Sequence, residues 1–334
     1  MLLDGIGESG QSSLRRSSVL LVGCGALGST IAELLTRAGV GRLVLVDRDL
    51  VELTNLQRQV LFDETDAREG LPKAVAAARR LGQINTQVTL EPVVADFNAA
   101  NAVQLARDVD VILDGTDNFE TRYLLNDVAV KLGKPYIYGG AVGTRGMVYV
   151  YAPGRSCLRC VFDEPTGGTR ETCDTVGVLG PAASIIASFE SAEAIKLLTA
   201  NAAALNPKLL TLDVWANTMR AIDVGVPDPE CPCCCQHRFD YLEGSRRAAT
   251  TSLCGRNAVQ IVTAHAGENI DLAPLADRLA AHGAVSRNPY LLRVELRERD
   301  HDYQLTLFPD GRAIVHGTAD PAVAKSLYSR YIGL

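Results

Sequence analysis

Arg58 and Lys73 are the residues whose placement first points to chemistry. They follow the turn Gly23-Cys24-Gly25-Ala26-Leu27-Gly28 and the carboxylates Asp47 and Asp49, and Arg58 lies within the largely polar run Thr54-Asn55-Leu56-Gln57-Arg58-Gln59. Glycines at that spacing let a backbone approach a phosphate or ribose closely, and a carboxylate about 20 residues past the last one can accept hydrogen bonds from ribose hydroxyls. Such a turn specifies a nucleotide and leaves the reaction open. An Arg and a Lys placed where phosphates would lie suggest phosphates that react, since hydride transfer has little use for them. Asp117, in Asp114-Gly115-Thr116-Asp117-Asn118, could carry a divalent cation to those phosphates, Mg²⁺ being the hard cation that nucleotides recruit. The plain alternatives are that Arg58 and Lys73 are solvated surface charges, and that Asp117 or Asn118 merely caps a helix starting near Phe119.

A second constellation is built from cysteine. Cys157 and Cys160 form one CxxC pair and Cys231 and Cys234 another; four thiolates in two such pairs suit a closed tetrahedral zinc site. Cys233 or Cys235 could replace a neighbour as ligand. Closing the loop between the pairs costs roughly 4 kcal/mol plus a constant. Zinc binding, at about 10 kcal/mol or more in small zinc peptides, exceeds that. Cys173 stands outside these pairs, in a Gly/Thr-rich segment just before Gly180-Pro181 opens a helix. A thiol there is nucleophilic if its pKa is depressed, whereas most lone cysteines are inert.

The elements that must position these groups follow from the apolar pattern. Val19 to Val22 reads as a buried strand, Ile31, Leu34, Leu35 and Ala38 as one face of a helix stopped by Gly39 and Gly41, and Leu43 to Val46 as a second strand. That is a βαβ unit and implies a parallel sheet. Pro72 suits a first helical position, which puts Lys73 in the first turn of a helix running through Leu81. A lysine there opposes the helix dipole by a few tenths to about 1 kcal/mol, and an anion beside it compensates. Strands are expected at 88–93, 109–113, 136–138, 147–151 (antiparallel), 209–213 and 219–224. The expected fold is α/β, a Rossmann-like mostly parallel sheet with an antiparallel extension and a structural zinc site. Residues 1–242 would form this domain, 243–258 a linker, and 259–334 a small α+β module. Within the module, helices are expected at 272–282 and 321–331 and strands at 291–296, 303–308 and 313–315.

Composition narrows the partners. With 334 residues, 47% of them hydrophobic, the chain can bury a large core, and its net charge of -6 argues against a general nucleic-acid or anionic-membrane binder. No signal peptide and no membrane-spanning run is read, so the expected location is the cytoplasm. In a reducing compartment, nine cysteines favour metal binding and thiol chemistry over disulfides.

Together the glycine turn, Asp47, Asn55-Leu56-Gln57-Arg58-Gln59, Pro72-Lys73, Thr116-Asp117-Asn118, Cys173 and the two CxxC pairs resemble the ThiF/MoeB/HesA adenylyltransferases, relatives of the ubiquitin-activating enzymes, from about Leu3 to Cys235. The resemblance implies ATP-dependent activation of the C-terminal glycine of a small ubiquitin-like sulfur carrier ending in Gly-Gly, for thiamine, molybdopterin or thionucleoside synthesis, by a homodimer. It implies that Arg58, Lys73 and an Asp117-bound Mg²⁺ screen the reacting phosphates. Thr54, Asn55, Gln57 and Gln59 would place the nucleotide, and Asp47 with Asp49 would hold its ribose. Cys173 matches the reactive-loop cysteine. Ala26 stands where relatives often have Gly, and, aligned on Leu2-Leu3-Asp4, the family's upstream arginine segment is not matched, so that either the start codon is misassigned or Arg58 and Lys73 are expected to carry more of the phosphate charge. The C-terminal module lacks the cysteine loop of a rhodanese domain, so a separate donor, a cysteine desulfurase or a rhodanese, is expected to supply sulfur. Two rival functions are a non-catalytic carrier-binding scaffold and an NAD-dependent oxidoreductase.

Overall fold

The structure, a computed structural model, describes residues 3–162, 176–244, 252–253, 257–261, 270–298 and 301–333. The chain divides into two compact units, Met1–Arg246 and Arg247–Leu334.

Unit 1 is built on β1 (Ser18–Val22), β2 (Arg42–Val46), β3 (Thr89–Val93), β4 (Val111–Asp114), β5 (Tyr136–Val142), β6 (Arg145–Tyr151), β7 (Leu209–Asp213) and β8 (Thr218–Ile222). They form one sheet in the order β3-β2-β1-β4-β5-β6-β7-β8. The strands from β3 to β5 run parallel, with Leu20 opposite both Val44 and Ile112, and β6 to β8 extend the sheet antiparallel.

The central strands are covered on both faces, which is why they read as continuous apolar runs. Val19 and Leu21 face a core shared with α1 (Gly7–Arg16), α2 (Ala26–Ala38), α4 (Lys73–Ile84) and α8 (Gly180–Leu198). Leu20 and Val22 face a second core with α5 (Ala102–Arg107), α6 (Phe119–Leu132) and the cysteine segments, including α7 (Leu158–Val161). The short α3 (Glu64–Arg68) is closed by a capping box in which Asp63 and Asp66 exchange hydrogen bonds with each other's backbone. The chain turns back between β1 and β4, so the crevice at their carboxyl ends is the place where an open α/β sheet binds its ligand.

Unit 2 is an antiparallel sheet in the order β11-β12-β13-β14-β10-β9, made of β9 (Ser252–Leu253), β10 (Ala258–Ile261), β11 (Gly283–Asn288), β12 (Leu291–Glu298), β13 (His301–Leu307) and β14 (Ala313–His316). Helices α9 (Leu272–Leu279) and α10 (Pro321–Tyr331) share its apolar core.

Four local expectations need correction. Pro72 precedes α4 as its N-cap with ψ 136°, because its backbone is held in a bridge with Leu50. β8 ends at Ile222, short of Val224. The helix expected through His282 stops at Leu279, because Gly283 starts β11, an edge strand whose Ser286, Arg287 and Asn288 carry no apolar signal. Ser252 and Leu253 belong to β9 and Ala258 to β10 rather than to a linker. Cys173 and most of the expected linker lie outside the described residues. Among the described residues no helix is long and apolar enough to cross a membrane.

Candidate active site

The glycine turn joins β1 to α2 at the crevice, and its glycines have different jobs. A Cβ on Gly23 (φ +91°) would stand 2.5 Å from the Gly115 carbonyl oxygen, and one on Gly28 only 1.8 Å from the carbonyl oxygen of Gly23. Those two positions let the turn pack against itself and against the exit of β4. Gly25 is different: its Cβ would meet nothing closer than Gln59 Nε2 at 3.8 Å and the Gly115 carbonyl oxygen at 3.9 Å. The open side of the turn is therefore at Gly25, where Ala26 begins α2 and first-turn N–H groups are free to meet an anion.

Asp47 closes this turn from β2. Its Oδ2 accepts from the Cys24 N–H at 2.6 Å and its Oδ1 from the Asp49 N–H at 2.7 Å. Burial pushes its carboxyl upward, while Lys73 and the two N–H groups oppose the shift.

Lys73 is not a solvated surface charge, being 3% exposed. It is the first residue of α4, its N–H donates to the Asp49 carbonyl at 2.9 Å, and its Nζ lies 3.1 Å from Asp49 Oδ2. The carboxylate offsets the unfavourable position of a cation at a helix N-terminus. Asp49, expected at the ribose, is thus the partner of Lys73 in this structure.

The segment after Asp49 is a turn of 3₁₀ helix, Leu53–Asn55, continued through Gln59 by hydrogen bonds to the Asn55 carbonyl. Arg58, half-buried, folds back on this turn, donating from Nη2 to Asn55 Oδ1 at 2.9 Å and from Nη1 to the Thr54 carbonyl at 3.3 Å. Asn55 and Gln59 are buried, Thr54 and Gln57 exposed, and Leu56 packs on the core. Gln59 Oε1 is buried without a hydrogen-bond partner among the described residues, and its amide nitrogen is the group nearest the open side of Gly25. Asp117 is exposed at the end of β4, and Asn118 caps α6 by accepting from the Thr121 N–H at 2.8 Å. The capping alternative thus holds for Asn118 and leaves Asp117 free for another role.

On the other face of the sheet, one thiol sulfur from each of Cys157, Cys160, Cys231 and Cys234 lies within 4.8 Å of all the others. The Cys157–Cys231 and Cys160–Cys234 sulfurs are 3.6 and 3.4 Å apart. A tetrahedral zinc with bonds of about 2.3 Å sets its sulfurs about 3.8 Å apart, so the four thiols fit the ion closely. Burial pushes the Cys234 thiol upward, and the hydrogen bond that Cys160 donates to Cys157 together with burial does the same at Cys160. A cation is what would hold such crowded groups as thiolates. Cys233 is not one of these four: its sulfur accepts from Asn126 Nδ2 at 3.3 Å, the same amide that donates to Cys157 Sγ at 3.7 Å, and Cys235 is exposed.

The ThiF family model matches residues 1–233. The chain is also 43% identical over 332 residues to the sulfur carrier protein ThiS adenylyltransferase of Bacillus subtilis (strain 168), covering 98% of this chain and 96% of that protein. The chain belongs to the ThiF family. A second relative, the SAMP-activating enzyme E1 of Haloferax volcanii, is 38% identical over 244 residues, 73% of this chain and 89% of that protein. The solved structure of E. coli MccB with ATP superposes with a TM-score of 0.60 at 24% identity over 68% of this chain and 69% of that one, a likeness of fold.

Three residues of the candidate site carry no signal in the sequence. Arg48, between the two carboxylates, donates from Nη1 to Asp96 Oδ1 at 2.9 Å and lies 3.8 Å from Asp49 through Nε. Arg122, 6% exposed, donates from Nη2 to the Thr116 carbonyl at 2.7 Å and so braces the loop that carries Asp117. Gly180, at the start of α8, lies against Gln57 and Arg58, where an added Cβ would come 3.1 Å from the Gln57 carbonyl oxygen. The Arg48–Asp96 pair and the approach of Gly180 to Gln57 join residues far apart in the chain, and the Arg122–Thr116 contact, six residues long, depends on how α6 meets β4; none of them leaves a periodic signal.

Proposed function

We propose that the chain adenylates the C-terminal glycine of a small ubiquitin-like sulfur carrier of the ThiS type at the crevice between β1 and β4. The observation that carries this is the end-to-end 43% identity with the Bacillus subtilis ThiS adenylyltransferase. The site's chemistry agrees with it. A carboxylate is a poor nucleophile toward a polyanion, so catalysis needs charge screening and alignment. One carboxylate oxygen bonds to the α-phosphorus of ATP as the bond to the bridging oxygen of pyrophosphate breaks.

The open side of Gly25, the first-turn N–H groups of α2 and Gln59 Oε1, which has no partner among the described residues, are suited to a nucleotide. Lys73 would exchange Asp49 for the more highly charged triphosphate. Arg58, already shaped by Asn55, would serve the phosphates beside it, and Asp47 would keep one face toward the ribose. Asp117, exposed and uncommitted to the helix cap, would hold Mg²⁺, which would supply positive charge to offset that of the phosphates. Zinc would hold Cys157, Cys160, Cys231 and Cys234 together as a structural centre.

In this proposal the chain acts as a cytoplasmic homodimer, a separate cysteine desulfurase or rhodanese supplies sulfur, Cys173 serves as the reactive-loop thiol, and residues 259–334 help bind carrier or donor. Deleting the module and finding unchanged carrier affinity and turnover would remove its assigned role. The central test is carrier-dependent ATP/pyrophosphate exchange. The expected result is exchange with a ThiS-type carrier and none without it; carrier binding without exchange would instead support a scaffold.

A further inference from the structure

Behind the candidate site lies a polar cluster that the proposed reaction does not use. Asp114 at the end of β4, Arg122 on α6 and Glu190 on α8 are all buried, at 0%, 6% and 0% exposure. Asp114 is well served: it accepts from Tyr136 Oη at 2.7 Å and from the Thr116 N–H and Oγ1 at 2.9 and 2.7 Å, and it lies 3.6 Å from Arg122 Nε. Glu190 has no such company. Both of its carboxyl oxygens are buried without a hydrogen-bond partner among the described residues.

Glu190 and Arg122 meet at the same residue of β5. The carboxyl occupies the space beside Gly139, where a Cβ would stand 1.8 Å from Glu190 Oε1, and Arg122 Nη2 lies 3.4 Å from the Gly139 carbonyl oxygen. Two buried acids therefore share one buried cation. An ionised carboxylate without donors is among the costliest groups to bury, so the cluster holds only if the acid without donors is neutral. Burial and the Asp114 charge raise the Glu190 carboxyl well above the usual range, against the pull of Arg122. Asp114 from β4, Arg122 from α6 and Tyr138 from β5 are the ionisable groups acting on it among the described residues; α1, α2 and β6, also packed on α8, bring none.

We propose that Glu190 carries a proton at neutral pH and is a positioning residue: its neutrality leaves Arg122 on the Thr116 carbonyl, one residue before Asp117. When Glu190 ionises, it competes with Asp114 and Thr116 for Arg122, and the brace on the Asp117 loop loosens. The catalytic consequence rests on the proposed adenylation, while the protonation state can be read without it.

The test uses the full chain and the variants Glu190→Gln and Glu190→Met, both neutral and close in volume. In infrared spectra at about pH 7, the wild type minus Glu190→Gln difference is expected to show a protonated carboxyl stretch. In carrier-dependent ATP/pyrophosphate exchange, both variants are expected to stay within about twofold of wild type near pH 7. Wild-type exchange falls about tenfold per pH unit once Glu190 ionises, and the variants lack that limb. The same alkaline limb in wild type and both variants, or no protonated carboxyl band in the difference spectrum, overturns the proposal. If the wild type shows no exchange with any carrier, the adenylation reading fails and the infrared band alone decides the state of Glu190.

Discussion

Replacing Gly25 and Gly28 separately by alanine should split folding from nucleotide binding, although the two glycines are three positions apart in one turn. At Gly28 the new methyl would lie 1.8 Å from the Gly23 carbonyl oxygen and 3.7 Å from the Cα of Gly115. The first contact is with backbone at the centre of the sheet, so β1 and α2 must move apart. Overpacking of this kind costs about 1–3 kcal/mol, and a rigid backbone neighbour puts Gly28→Ala at about 3 kcal/mol. For a unit of this size, about 3 kcal/mol lowers Tm by about 6–12 °C. At Gly25 the methyl meets nothing closer than 3.8 Å, and with the backbone at φ -80°, ψ -143°, outside the helical and extended wells, the folded state should lose about 1 kcal/mol, well short of Gly28→Ala. The same methyl occupies the side of the turn left open for a phosphate. ATP affinity should fall at least about tenfold, the equivalent of about 1.4 kcal/mol. Thermal unfolding and calorimetric ATP titration on the same samples give both numbers. If Gly25→Ala melts as low as Gly28→Ala, or binds ATP as the wild type does, the division of roles within the turn is wrong.

Two further substitutions test the cation and the cysteine centre. Lys73→Ala should lower carrier-dependent exchange by about 10²–10³-fold, as loss of one charge-stabilising group does in other enzymes. It should cost only about 1 kcal/mol of stability, read as a small fall in Tm, because Asp49 is partly exposed and keeps Arg48 nearby. Cys234→Ser should lower the zinc content, measured by elemental analysis of the purified protein, and lower Tm with it. Cys233→Ala should retain one zinc per chain, since Cys233 lies outside the four-thiol cluster; loss of zinc there would make Cys233 a ligand.

How much was legible depended on whether a residue's surroundings lay close to it in sequence. Val19 to Val22 and Leu43 to Val46 announced themselves because both faces of the sheet are covered, leaving no polar alternation to confuse the pattern. The cysteine pairs were legible because zinc geometry demands the CxxC spacing itself. Helix α1 was missed: of Gly7–Arg16 only Gly10 and Leu14 are buried, too few to form an apolar stripe. The pairing of Lys73 with Asp49 spans 24 residues and is set by the backbone bridge between Leu50 and Pro72. Nothing in either residue's neighbours foretells it. Glu190 is the sharpest case, because Glu190 and Glu193 sit one turn apart on α8 like ordinary surface charges. Yet Glu193 is satisfied by Lys196 and the Asn206 N–H, while Glu190 faces the sheet with no donor among the described residues.

The candidate crevice and the cysteine cluster are contacted by one helix, α6, at two levels along its axis, and that helix explains why the family motif and the thiols occur in one unit. Asn118 caps α6 at the crevice, and one turn later Arg122 holds the Thr116 carbonyl. About 12 Å along the axis from Asn118, at the 1.5 Å rise of an α-helix, Asn126 turns toward the cysteines. Its Nδ2 donates to Cys233 Sγ at 3.3 Å and its Oδ1 accepts from the Leu158 N–H at 2.8 Å. Asp127 beside it accepts from the Tyr241 N–H at 2.9 Å, binding the segment that follows the second cysteine pair. Buried side chains of one helix thus fasten both cysteine segments and brace the Asp117 loop. A metal that draws the four thiols together also fixes the backbone to which Asn126 and Asp127 are bound, and with it the axis of α6. The cluster is therefore placed to hold the acidic loop in position without touching a nucleotide, which is the physical sense in which a structural zinc serves the proposed reaction.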